Sequence, residues 1–96
     1  SVKTAKSNFM KFLKKLDWME PIDGKGNFIF IKLNSLQLKT DFINYLKKNK
    51  IFIRDYGHIE KTKNYIRITI GSSHQMIIVQ NQIENFINTY KQNNYS

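Results

Sequence analysis

The stretch Tyr65-Ile66-Arg67-Ile68-Thr69-Ile70-Gly71 alternates strictly between isoleucine and a second residue type. Successive side chains of a β-strand point to opposite sides, so Ile66, Ile68 and Ile70 share one face while Arg67 and Thr69 share the other. Gly71 closes the strand, and the polar run His58 to Asn64 before it has the composition of a surface loop. A half-buried strand with an arginine on its less apolar side is the element around which the rest of the chain has to be arranged.

Toward the N-terminus, Ile51 to Asp55 reads as a second strand ended by Gly57, and Asn27 to Leu33 as a strand apolar on both alternations. Between them, Asn34 or Ser35 can cap a helix whose apolar stripe is Leu38, Phe42, Tyr45 and Leu46. Asn49, which tolerates the left-handed conformation, marks its end. Residues 2–18 place Val2, Ala5, Phe9, Phe12, Leu13 and Leu16 at helical spacing, and Pro21 to Gly26 reads as a loop. After Gly71, Ser72 or Ser73 can cap a last helix running from Met76 through Tyr90 toward Gln92, with an Asn-rich tail, residues 93–96, expected to fray. Trp18, Tyr45 and Tyr90 take helix positions where packing explains them. The expected fold class is α+β, in the order helix, strand, helix, strand, strand, helix. It forms a three-stranded sheet with helices packed on one face, a single domain over residues 1–92.

Composition limits the function. Ninety-six residues with 41% apolar content supply one modest core. No apolar run approaches the ~20 residues that a membrane-spanning helix needs. There is no cysteine, and the two histidines, His58 and His74, have no ligand-spaced partners, so neither a disulfide framework nor a metal site is expected. The net charge of +9 comes from lysines scattered over several segments. Lysine is abundant beside asparagine and isoleucine, as AT-rich coding favours, which weakens a functional reading of the excess. Arginine is the informative cation: Arg54 and Arg67 are the two guanidinium groups in a chain that otherwise uses lysine.

Splitting the strands by alternation gives an aliphatic face of Ile29, Ile31, Ile51, Ile53, Ile66, Ile68 and Ile70, suited to lie under helices. The opposite face collects Phe28, Phe30, Phe52, Arg54, Arg67 and Thr69. That much aromatic area implies a partner surface. Two arginines on it suit a carboxylate or phosphate, whose oxygens match the planar fork, or else a pair of structural salt bridges. Asp55, next to Arg54 in the strand, belongs to the opposite face.

Asn27-Phe28-Ile29, Ile53-Arg54-Asp55-Tyr56 and Tyr65 to Gly71, in this order and spacing, resemble the last third of histidinol-phosphate aminotransferases and their relatives, a branch that includes threonine-phosphate decarboxylases. The resemblance spans residues 1–90. It implies the small domain of a class I/II, fold-type I aminotransferase dependent on pyridoxal 5'-phosphate. The cofactor and its Schiff-base lysine would reside in a large domain of the same parent chain. It further implies that Arg67 binds the substrate α-carboxylate, that Arg54 lies near a substrate phosphate, and that Asn27 begins a strand bordering the same cleft. Lys50 departs from the family, which commonly has glycine before the "RD" strand. A parent of this kind would be a cytoplasmic homodimer acting on an amino acid or amino-phosphate. The present chain, starting at Ser1, would be a fragment inactive by itself.

Two other functions use the same features. A free-standing basic nucleic-acid-binding module would stack bases on Phe28, Phe30 and Phe52, although the glycine-and-aromatic signature of sheet-surface RNA binders is missing. A regulatory or dimerisation module would use the aromatic face as an interface.

Overall fold

Three helices pack on one side of an antiparallel sheet in the computed structural model, which describes residues 2–51, 53–55 and 60–95, the side chains of residues 54, 60 and 93–95 excepted. The elements are α1 (Val2–Lys14), β1 (Met19–Asp23), β2 (Phe28–Leu33), α2 (Leu36–Lys48), β3 (Arg54–Asp55), a 3₁₀ turn (Glu60–Thr62), β4 (Tyr65–Thr69) and α3 (Ser73–Tyr95). Strand order is β1-β2-β4-β3, every neighbouring pair antiparallel. Since β2 and β3 both run against β4, they are parallel to each other, and α2 is the crossover between them. The expected Phe52 position on the aromatic face, the turn at Gly57 and the loop histidine His58 lie outside the described residues.

The α+β class with helices on one face is as expected, but the sheet has four strands rather than three. The segment read as a loop from Pro21 is strand β1 up to Asp23, and only Gly24 to Asn27 form the turn. Proline signals a break because it cannot donate to a ladder. At a sheet edge that deficit is tolerated, and β1 is the edge strand. At the other edge, among the described residues, Arg54 and Asp55 pair, while Ile51 and Ile53, expected in the same strand, pack against the core outside the ladder. Helix α1 stops at Lys14, so Trp18 lies outside it, buried just before β1.

Helix ends follow from local chemistry. Ser35 caps α2, its hydroxyl accepting from the Leu38 N–H at 3.1 Å. At the other end the left-handed residue is Lys50, with φ +63°, and not Asn49. The Ile51 N–H donates to the Leu46 carbonyl (2.8 Å) and the Lys50 N–H to the Lys47 carbonyl (3.0 Å), the paired bonds of a Schellman ending. Helix α3 opens on a reciprocal capping box. The Gln75 N–H donates to the Ser72 hydroxyl, and the Ser72 N–H donates to the Gln75 carboxamide oxygen. Gly71 makes room for that carboxamide, because a Cβ there would stand 2.0 Å from Gln75 Oε1. The helix continues past Gln92 to Tyr95.

Phe9 and Leu13 of α1, Ile29, Ile31 and Leu33 of β2, Phe42 and Leu46 of α2, Ile66 and Ile68 of β4, and Ile83 and Phe86 of α3 form one core. Trp18 meets the Phe42 ring edge-on at 5.3 Å, and Phe42 lies 5.1 Å from Phe86, joining α2, α3 and the approach to β1. No helix among the described residues is long and apolar enough to cross a membrane.

Candidate anion-binding face

The side of the sheet away from the helices is set by register. Residues directly opposite in an antiparallel ladder share a face, so Ile22↔Phe30, Phe30↔Arg67 and Arg67↔Arg54 form one row across all four strands. Phe28, opposite Thr69, is the diagonal neighbour of Arg67. The alternation read from sequence is therefore present: Ile29, Ile31, Ile66 and Ile68 are buried under the helices, while Phe28, Phe30 and Arg67 are half-buried and Thr69 is exposed.

Arg67 is the best-defined group on this face. Its Cζ stands 4.4 Å from the centroid of the Phe28 ring, a cation–π contact that fixes the guanidinium plane. Its Nε is enclosed and has no hydrogen-bond partner, and among the described residues no carboxylate forms an ion pair with it. An enclosed N–H left unmade costs about 1–3 kcal/mol. An arginine in a structural salt bridge would have its donors engaged by a carboxylate, whereas the described contact of this guanidinium is with a ring.

Arg54 stands opposite Arg67 in the register, so the two arginine positions meet on adjacent strands. Asn27 is not brought to that row. It is an exposed turn residue just before β2, whose carbonyl accepts from the Ile70 N–H at 2.7 Å. The exposed His74 starts α3, and the described residues contain no cluster of three or more His, Cys, Asp or Glu that could hold a metal. A groove of about 780 Å³ lies elsewhere, between α1 and the hairpin turn, lined by Val2, Lys6, Met10, Lys14 and Asp23. It contains none of these groups, and Lys6 is engaged there by Asp23 at 2.6 Å and by the Gly26 carbonyl at 2.8 Å.

One contact beneath the face was not foreseen. Lys39 of α2 is buried and pairs with Asp55 at 2.7 Å. Its spacing from Phe42, Ile43 and Leu46, at three, four and seven residues, was the available signal, since it puts the lysine in phase with the buried stripe.

No family model matches the chain. Among curated relatives, a histidinol-phosphate aminotransferase of Clostridium botulinum strain 657 is 36% identical over 67 residues, 70% of this chain and 18% of its own length. The corresponding enzyme of Colwellia psychrerythraea is 26% identical over 85 residues, 88% of this chain and 23% of its own. The chain is a homologue of the histidinol-phosphate aminotransferases. A dihydroxyacetone phosphate transaminase of Campylobacter jejuni, 36% identical over 88 residues, extends the kinship, again over 88% of this chain and 23% of the relative. This aminotransferase homologue thus spans about a fifth of the length of the curated relatives it matches. Its fold matches that of L-threonine-O-3-phosphate decarboxylase from Porphyromonas gingivalis with a TM-score of 0.72, at 20% identity, covering 90% of this chain and 27% of that one.

Aminotransferases work with pyridoxal phosphate, which is held through a lysine Schiff base. The described residues of this homologue do not fit that group. The buried lysine amine, Lys39, faces Asp55 on the helix side, and Lys32 on the open face is exposed, whereas Arg67 on its phenyl ring suits an anion.

Proposed function

We propose that residues 1–92 are the C-terminal small domain of a pyridoxal-phosphate-dependent aminotransferase and that the open sheet face anchors the anionic ends of a phosphorylated amino substrate. The observation that carries this reading is Arg67, stacked on Phe28 with an enclosed, unpartnered Nε. The large domain of the same parent supplies the cofactor and its lysine, so the chain by itself does not transaminate. The parent acts as a cytoplasmic homodimer.

Arg67 binds the substrate α-carboxylate through its fork. A carboxylate docked there completes the donor set that the protein leaves open and places the amino-bearing carbon at a fixed distance from the sheet. Arg54, opposite Arg67, takes the phosphate, and Asn27 borders the cleft from the turn. Support for a phosphate ester comes from the names of the similar proteins, which refer to histidinol phosphate, dihydroxyacetone phosphate and threonine-O-3-phosphate. Closure over the substrate also covers Phe28 and Phe30 and strengthens both ion pairs by excluding water.

The test is Arg67→Ala in the chain joined to its large domain. Loss of a charged hydrogen bond of about 1.5–3 kcal/mol should lower kcat/KM roughly ten- to hundredfold, with the cofactor's absorbance retained. An unchanged kcat/KM would remove Arg67 from the site.

A further inference from the structure

Among the described residues, the one buried charged side chain is Lys39, 3% exposed, in the first turns of α2. Its Nζ donates to Asp55 Oδ1 at 2.7 Å and to the Lys63 carbonyl at 2.5 Å. Asp55 belongs to β3 beside Arg54, and Lys63 lies two residues before β4, which carries Arg67. From beneath the sheet, one amine therefore ties together the chain segments that bear both arginines.

The pair is lopsided. The Lys39 side chain is 4% exposed and that of Asp55 62%, so the lysine bears the desolvation while its partner keeps much of its water. An ion pair of this kind is a poor source of stability, and an apolar side chain of equal length in its place is often neutral or stabilising. Its use has to be sought in geometry. Among the described residues, β3 pairs at two positions, Arg54↔Arg67 and Asp55↔Ile66. So short a ladder specifies its register weakly, and a slip of one residue would exchange the faces of Arg54 and Asp55. Asp55 held from the helix side fixes which of the two faces the helices.

We infer that Lys39 is a positioning residue: through Asp55 it sets the backbone of Arg54 opposite Arg67, so that the two arginine positions stand side by side on adjacent strands for a substrate with two anionic ends. This rests on the reading of both arginines as substrate anchors. The experiment compares Lys39→Met, Asp55→Asn and Arg54→Ala in the chain joined to its large domain, and examines the first two also in the 96-residue chain by NMR. For Lys39→Met and for Asp55→Asn, KM for the phosphorylated amino substrate should rise roughly tenfold or more with kcat little changed, the scale set by misplacing a positioning group. The double variant should be no worse than either single one. Nuclear Overhauser contacts between the backbones of Arg54 and Arg67 should weaken, while those between β2 and β4 persist and the thermal midpoint of Lys39→Met holds. If Arg54→Ala raises KM and the other two variants do not, the positioning role is overturned while the anchor reading stands. If Arg54→Ala leaves KM unchanged, the anchor reading fails, and the inference with it. A Lys39→Met chain that unfolds, or one that keeps the Arg54–Arg67 contacts, also overturns it, since the amine would then serve stability alone or nothing at this strand.

Discussion

Arg67 and Lys50 show how much one side chain can depend on a neighbour or on the backbone. The guanidinium rests on Phe28, so Phe28→Leu, which keeps apolar area but removes the ring face, should cost about 0.5–1 kcal/mol in urea denaturation. No change in midpoint would mean that the ring does not hold the cation. Lys50 occupies the left-handed region at φ +63°, where a side chain with a Cβ is disfavoured by roughly 1–2 kcal/mol. Part of that gain would be lost to the extra freedom of glycine in the unfolded chain, so Lys50→Gly should stabilise by about 0.5–1 kcal/mol, with the denaturant slope unchanged. A lowered midpoint would contradict the Schellman geometry. The sequence marked this position as a departure from glycine but assigned the left-handed turn to Asn49, one residue early. Propensity favours asparagine there, whereas the hydrogen bonds of Lys50 and Ile51 decide the outcome.

Secondary-structure elements were legible where local pattern and burial agree. The alternation of β4 and the apolar stripe of α2 follow from residues 65–70 and from Leu38, Phe42 and Leu46, and the structure keeps both. Of the α3 capping box, the cap at Ser72 or Ser73 was legible, whereas the reciprocal bond to Gln75 emerges only in the structure. Ser72→Ala should remove one half of it and cost about 1 kcal/mol, measurable as a lower urea midpoint with faster amide exchange in the first turn of α3. Exchange unchanged in that turn would exclude the cap as a source of its order. β1 was not legible, because Pro21 signals a break in any single-chain reading and only the position of the strand at the sheet edge makes it acceptable. The Lys39–Asp55 tie was only half legible: the phase of Lys39 with Phe42, Ile43 and Leu46 marks a buried position, but its partner is known only once β3 is placed. The facing of Arg67 was legible from alternation, but the Phe28 contact against its guanidinium depends on a diagonal across two strands 39 positions apart (67 minus 28).

At the scale of the molecule, the core joins every layer through few side chains. Phe42 is fully buried and touches both Trp18 and Phe86, so Phe42→Ala should cost about 3–5 kcal/mol. Set against the 5–15 kcal/mol typical of a whole domain, that leaves a chain close to unfolding, visible as a large drop in the circular dichroism melting midpoint. A small drop would indicate that the three rings do not form the common centre of the helices. Among the described residues the sheet is blunted at both borders: on one side the outer strand contains a proline, and on the other the strand is two residues long. Among the described residues, neither border offers a long continuous row of backbone donors and acceptors to a newcomer. Strand addition is discouraged at the described borders, and the broad face instead presents rings and the Arg67 guanidinium to a companion.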